Sequence, residues 1–364
     1  MPVQSGNQLD VANTNTTLRI VEVEHQRGST RVTAREWADN SVGNAVADPG
    51  RSLPGSDLTI GETRLILADL PAFGTEDPGR ATIVAAAAGT GAGWRRAALS
   101  LVEGERIIEL GGTKGVSIIG QLLGGLPSHT ALLEDRMNQP IIRLLHDNMV
   151  LPAGSGDPKC FDAPSIWLNG EIIRYGNAEK IGPRKYQLNL LLRGCFGTES
   201  SANHPSQANV FLIESESLLL IDSVPTPINA MLQLEAQGIG DTEPVGQSIL
   251  AIGNAIRPRK PVHGKIERLE NGDYQLQWHR RDRLTHGWSD GADIPNSEGV
   301  NDYAVELYTG GALRATWTTG TSALQITTSE IAGLLIPSGT NLQFQIVEIG
   351  RFARSLPLIL VTNM

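Results

Sequence analysis

Long apolar runs are missing from this 364-residue sequence: none approaches the roughly 20 residues that cross a bilayer, so no transmembrane helix is expected. The opening MPVQSGNQLD has neither the basic nor the apolar stretch of a signal peptide, which predicts a soluble chain made in the cytoplasm. Cysteine is nearly absent. Cys160 and Cys195 cannot supply the four thiolates of an iron–sulfur cluster or a cysteine-only zinc site, and they leave a single disulfide or two free thiols open. Charged residues make up only 19%, and the net charge of -9 comes without a basic block, so a nucleic-acid surface has no electrostatic support. Aromatics stand at 5%, whereas 40 Gly and 20 Pro interrupt the chain every few residues. That texture belongs to short strands and turns, and it predicts a mainly β protein of two or three domains.

Three segments are expected: residues 1–47 with a hairpin over Arg19–Trp37, residues 48–257 as a β-rich domain, and residues 258–364 as a sandwich. Asp48–Asp57 reads as a linker, and RPRKPV over Arg257–Val262 marks the second boundary. In the last segment Tyr274, Leu276 and Trp278 share one strand face. So do Tyr303, Val305 and Leu307, and then Leu342, Phe344 and Ile346. Period two with Asn271–Gly272, Gly310–Gly311 and Ser338–Gly339 as turns predicts a fibronectin type III-like sandwich with Trp278 in its core. In the middle segment Asn169–Gly170 is the favoured pair for a type I′ hairpin turn. The stretch YQLNLLLRGCFGT then alternates, with Tyr186, Leu188 and Leu190 on one face, before Arg193 meets a turn permitted by Gly194 and Gly197. An arginine at such a corner braces carbonyls or a carboxylate, so Arg193, Gly194 and Gly197 are expected to determine the fold.

Chemistry is harder to place. Arg280, Arg281, Asp282, Arg283 and His286 read as a solvated ion-pair surface, with Arg281, Arg283, Trp288 and Trp317 as candidates for surface recognition. His204, near Glu199, lacks a second His or Cys at ligand spacing. Glu171 with Asp162, or Asp290 and Asp293 with Glu298, could pair as glycosidase carboxylates, but spacing along loops does not fix separation in space. GTGAG over Gly89–Gly93 lacks the lysine and helix of a phosphate loop, and no serine nucleophile elbow occurs. No catalytic, cofactor or metal residue is assigned, and the chain is expected not to be an enzyme.

LLRGCFGTE followed by His204–Pro205 resembles a segment of the tail-tip, or host-specificity, proteins of gene transfer agents and related siphophages. Trp94 before a small and apolar stretch, the D-x-x-N of Asp135–Asn138, and Gly170–Glu171 ahead of Ile172, Ile173 and Tyr175 fall in the order of that family, over residues 94–213. Trp278, Arg280, Arg281 and Arg283 form a second match, and Arg35–Asp39 is similar to the end of a hub hairpin. The resemblance implies a β-rich hub domain followed by a fibronectin-like module, in a homotrimer at the distal tail tip of a virion. Other hub or baseplate proteins and a central fibre would be its partners. Family members are longer, with further hub domains ahead of the matched region. The alternative is a carbohydrate-binding or depolymerising receptor protein that meets a host glycan through its C-terminal sandwich. Exposed aromatics around Trp288 and Trp317 would favour it. A secreted adhesin is opposed by the lack of a signal peptide.

Overall fold

In a computed structural model the described residues are 4, 6–10, 16–26, 28–36, 58–73, 77–160, 162–222, 227–285 and 294–363. Strands dominate, as the glycine and proline content predicts, and the one α-helix among these residues is the short Thr328–Gly333 turn capped by Thr327 and Glu330. Residues 1–57 and 58–364 form two compact units. The first contains a three-stranded antiparallel sheet of Gln8–Asp10, Thr17–Gln26 and Ser29–Glu36, the latter two being the expected hairpin. Trp37–Asp39 and the Asp48–Asp57 linker lie outside the described residues.

The second unit holds two sandwiches with one strand order. The first uses Thr63–Leu70, Thr82–Gly89, Ala97–Glu103, Arg106–Gly112, Leu218–Ile221, Ala230–Gly238 and Val245–Ala251. Its fifth, second and first strands make a three-stranded sheet, and its seventh, sixth, third and fourth make a four-stranded one. The second uses Val262–Arg268, Tyr274–His279, Tyr303–Thr309, Ala312–Thr319, Ala323–Ile326, Asn341–Glu348 and Leu358–Asn363. Its first, second and fifth strands pair, as do its fourth, third, sixth and seventh. Order and sheet membership are therefore identical. The RPRKPV stretch falls between the two, after Ala251 and up to Val262.

The first sandwich differs from the second by an insertion. Between the fourth and fifth strands of the first, the chain leaves to build a closed barrel. Around it run Ser165–Leu168, Glu171–Gly182, Lys185–Leu192, Ile141–Leu144, Ile119–Leu123 and Asn209–Leu212. A barrel has no free edge to protect. It packs on the three-stranded sheet of the sandwich. Ile66, Ala68, Leu70, Val84, Ala86 and Ala88 join the barrel core, while Leu65, Leu67, Ile83, Ala85 and Ala87 from the same two strands face the sandwich core. Burial on both faces explains why LILADL and IVAAAA lack the alternation of half-exposed strands. The alanine run, compatible with a helix by periodicity, is a strand. The GTGAG glycines serve backbone approach: a Cβ on Gly91 would sit 2.1 Å from the Thr59 carbonyl oxygen.

Candidate functional site

One left-handed residue builds the centre of the barrel's end. Tyr186 and Leu188 point into the core as alternation predicts, but Leu190 has φ 55 and is not fully buried, and Leu191 is buried in its place. The expectation that Leu190 continues the inward face is therefore corrected. A residue in the left-handed region turns the strand's phase by one, at a local cost of roughly 1–2 kcal/mol. It stands beside Gly176, whose missing side chain leaves room: a Cβ there would lie 3.1 Å from that of Leu190. The consequence falls on Arg193. Unshifted alternation from Tyr186 and Leu188 would turn it outward; with the new phase it follows Leu191 inward and is 1% exposed.

There the guanidinium uses every donor it has. Nε and Nη2 each reach a Glu171 oxygen at 2.9 Å, Nη2 also the Ala202 carbonyl at 2.7 Å, and Nη1 the Pro127 carbonyl at 3.2 Å and Asp135 Oδ2 at 3.3 Å. Each partner is placed by a different element. Asn169 and Gly170, with φ 42 and 102, form the expected I′ turn and deliver Glu171 at the start of its strand. Asp135 is held by a bridge to Leu191, and His204 by a bridge to Leu126. Glu171 also accepts from the Gly194 amide at 2.7 Å and sits 2.6 Å from His204 Nε2. Gly194, φ 60, packs where a Cβ would stand 2.7 Å from that of Glu199; Gly197, φ 87, lies under Arg259.

Burial alone would raise the Glu171 carboxyl, but the bonds from His204 and Arg193 overcome it and hold the group below its usual range. Asp135 is likewise pushed up by burial and brought down further by Asn138 and His129. Both are thus fixed anions around a fixed cation. His204 Nδ1 has no partner among the described residues. None of these groups is open to a substrate. Glu171 is fully enclosed, whereas Asp162 is exposed on the rim of a groove, so the two do not face each other across a cleft. No group of three His, Cys, Asp or Glu among the described residues could hold a metal.

The network anchors something exposed. Asp135 Oδ1 accepts from the amides of Met137 and Asn138 at 3.2 and 2.9 Å, and its Oδ2 from Asn138 Nδ2 at 2.8 Å. Around it Leu132, Leu133 and Met137 are 72%, 66% and 86% exposed. Glu134 ties the same loop to Arg136 and Lys159, both at 2.6 Å. The loop therefore presents three exposed apolar side chains on a hydrogen-bonded base. Sequence reasoning missed it; the signal was the Leu132–Leu133 pair inside an otherwise polar stretch. Beside the barrel a groove of about 930 Å³ is lined by Leu70, Phe73, Val84, Arg174, Phe196 and Leu218 among others.

The arginine cluster is not a solvated surface. Arg283 is 3% exposed and spans two parts of the unit, binding Asp77 at 2.9 and 3.0 Å, Glu298 at 2.8 Å and the Ala255 carbonyl at 3.0 Å. Asp282 is buried and caps Thr285 and Ser297. Arg281, partly buried, meets Glu199 of the barrel at 2.5 Å and the Lys260 carbonyl at 2.9 Å, and Arg280 binds the Ile294 and Pro295 carbonyls. Arg283 is therefore withdrawn as a surface-recognition residue, because the cluster sits where the second sandwich meets the first and the barrel. Only tertiary contact could reveal that. Trp278 is buried edge-on to Tyr303 at 5.2 Å. Trp317 is half-buried against the sandwich core, its Nε1 on Glu330 at 3.0 Å. Trp288, His286, Asp290 and Asp293 lie outside the described residues. Both cysteines are free thiols, and burial raises Cys195 to about 11, which leaves it unreactive. No helix among the described residues is long and apolar enough to cross a membrane.

Against known proteins, a family described as "Rcc01698-like, C-terminal", associated with gene transfer agents, matches residues 117–211, about a quarter of the chain. Those limits coincide with the barrel, which runs from Ile119 to Leu212. No curated protein matches the chain. Solved structures similar to it include domains d3–d4 of the rat CD45 extracellular region, at 12% identity over 39% of this chain and 68% of that one, TM-score 0.23. A two-domain fibronectin type III segment of chicken tenascin matches at 10% identity over 67% and 99%, TM-score 0.22. The chicken CNTN1 FN1–FN3 domains match at 8% over 84% and 99%, TM-score 0.21. At these TM-scores the sandwich assignment rests on the strand order alone.

Proposed function

We propose that this chain is a structural component of the tail tip or baseplate hub of a bacteriophage or gene-transfer-agent-like particle. In this reading it assembles as a homo-oligomer with other hub proteins at the distal tail end and contributes to host attachment. The observation that carries the reading is the coincidence of the gene-transfer-agent-associated match with the barrel, residues 117–211, whose buried charges bind one another and, through Asp135, the base of an exposed apolar loop. Committed charges suit a scaffold. A catalytic carboxylate needs a path to substrate and a tunable proton, and Glu171 and Asp135 have neither. The docking role falls to Leu132, Leu133 and Met137, which meet a neighbouring tail protein. The glycan-receptor alternative calls for exposed aromatics on the second sandwich, and Trp317 packs against its core.

Immunogold electron microscopy with antibody raised against residues 262–363 tests the assignment. Label confined to the distal tail end of purified particles is the expected result. Absence of label from intact and gently disrupted particles, with an antibody proven on the isolated protein, removes the virion reading.

A further inference from the structure

A polar cleft of about 460 Å³ lies between the barrel and the first sandwich. Register fixes its barrel wall: Asn209 stands opposite Gln121, Gln121 opposite Arg143, and Arg143 opposite Lys185. Residues opposed across antiparallel strands share a face, and this row is on the outside of the barrel, since Val210, Leu122 and Ile142 beside it point into the core. Arg184 extends the wall, while Arg64 and Gln247 reach the cleft from two strands of the sandwich. Buried Ile66, Ile119 and Leu144 lie beneath. No lining residue is acidic, in a chain whose net charge is -9. Arg64 and Arg143 make no side-chain hydrogen bond or ion pair among the described residues. Arg184 donates to the Leu145 carbonyl at 3.2 Å and has one carboxylate, that of exposed Asp147, at 3.9 Å.

We propose that this cleft binds a small phosphate monoester on a hydroxyl-bearing carrier, such as a sugar phosphate. Arg64, Arg143 and Arg184 hold the phosphate, and the amides of Gln121, Asn209 and Gln247 hold the carrier. Cations brought to one cleft from two walls, with no carboxylate between them, repel one another until an anion joins them. The coplanar oxygens of a carboxylate are filled by a single guanidinium fork. A phosphate monoester instead carries about two negative charges and three acceptor oxygens around one atom, so forks arriving from different directions share it. The apolar floor lowers the local dielectric and strengthens that attraction. Side-chain amides both donate and accept, as sugar hydroxyls do. The cleft also has the size of a small-molecule site. This inference does not depend on the tail-tip reading.

The test is isothermal titration calorimetry of the full chain at low ionic strength with glucose 6-phosphate, and with glucose as the uncharged control. Saturable binding of glucose 6-phosphate, with no heat from glucose, is the expected result. Arg64→Gln/Arg143→Gln removes two charges from exposed positions and should weaken binding by at least about tenfold, with an unchanged circular dichroism spectrum and melting temperature. Should the double variant unfold, Arg143→Gln alone carries the same expectation. Arg106→Gln, at an exposed arginine on the far edge of the sandwich's four-stranded sheet, should bind as wild type does. Three results overturn the proposal: no saturable binding of glucose 6-phosphate, binding that the Arg64 and Arg143 variants leave intact, or an equal loss in Arg106→Gln.

Discussion

Arg193 is the residue whose loss the fold can least absorb. Removing it strands Glu171 and Asp135 as buried anions and orphans the Ala202 and Pro127 carbonyls. Breaking such a pair from one side costs about 3–5 kcal/mol, so Arg193→Ala should unfold at far lower urea, and Arg193→Lys should recover little because an ammonium cannot fork onto Glu171. A native-like midpoint for the alanine variant would refute a fold-determining role. Glu348 behaves in the opposite sense. Burial raises its carboxyl to about 7 beside Glu298 and Asp282, with only Arg280 opposing. A folded pKa above the unfolded value means the native state holds the proton longer, so this group's contribution is full below about 4.5 and is lost as pH rises through about 7. Glu348→Gln, uncharged at any pH, should therefore raise stability at pH 8, by on the order of 2 kcal/mol, and change it little at pH 4. Equal effects at both pH values in thermal melts would contradict the assignment.

Among the elements, the strand Lys185–Leu192 and the loop it braces make the clearest case. The inward placement of Leu191 and Arg193 depends on Leu190 keeping φ 55. A β-branched residue is poorly tolerated there, and Leu190→Ile should cost about 2 kcal/mol in urea denaturation, whereas Leu190→Asn, which accepts the left-handed region, should cost less despite its polarity. The reverse ranking would mean that side-chain packing, not backbone phase, governs the position. The apolar loop separates display from stability. Leu132→Ser, Leu133→Ser and Met137→Ser remove exposed groups, so melting temperature should stay within a degree or two, as surface substitutions generally leave it. On the proposed tail-tip role, incorporation of the triple variant into particles, scored by blotting purified particles, should fall. Normal incorporation would take the docking role from this loop. The Asn169–Gly170 hairpin was legible in advance because its turn chemistry is local. The phase shift at Leu190 was not, since LLL carries no mark of which leucine is left-handed.

Taken whole, the unit of residues 58–364 should melt in two steps rather than three. Barrel and first sandwich share a core through Ile66, Ala68, Val84 and Ala86, so they unfold together; the second sandwich has its own core around Trp278, Tyr303 and Phe344. Calorimetry of the full chain and of residues 258–363 alone should assign one transition to the fragment, and an unfolded fragment would show that the Arg283 joint is essential to it. The sequence by itself determined the β class, the I′ turn and the alternation that places Trp278, Tyr303 and Phe344 in one core, because each depends on residues within a few positions of one another. Four things only tertiary structure decided: that Arg193 faces inward, that Arg283 is a buried joint, that the two sandwiches share one strand order, and that a barrel interrupts the first. Each is settled by contacts between distant residues. Leu65 to Ala88 must be sandwiched on both faces before its alanines make sense, and Asp77 must come 2.9 Å from Arg283 before that arginine ceases to look like surface.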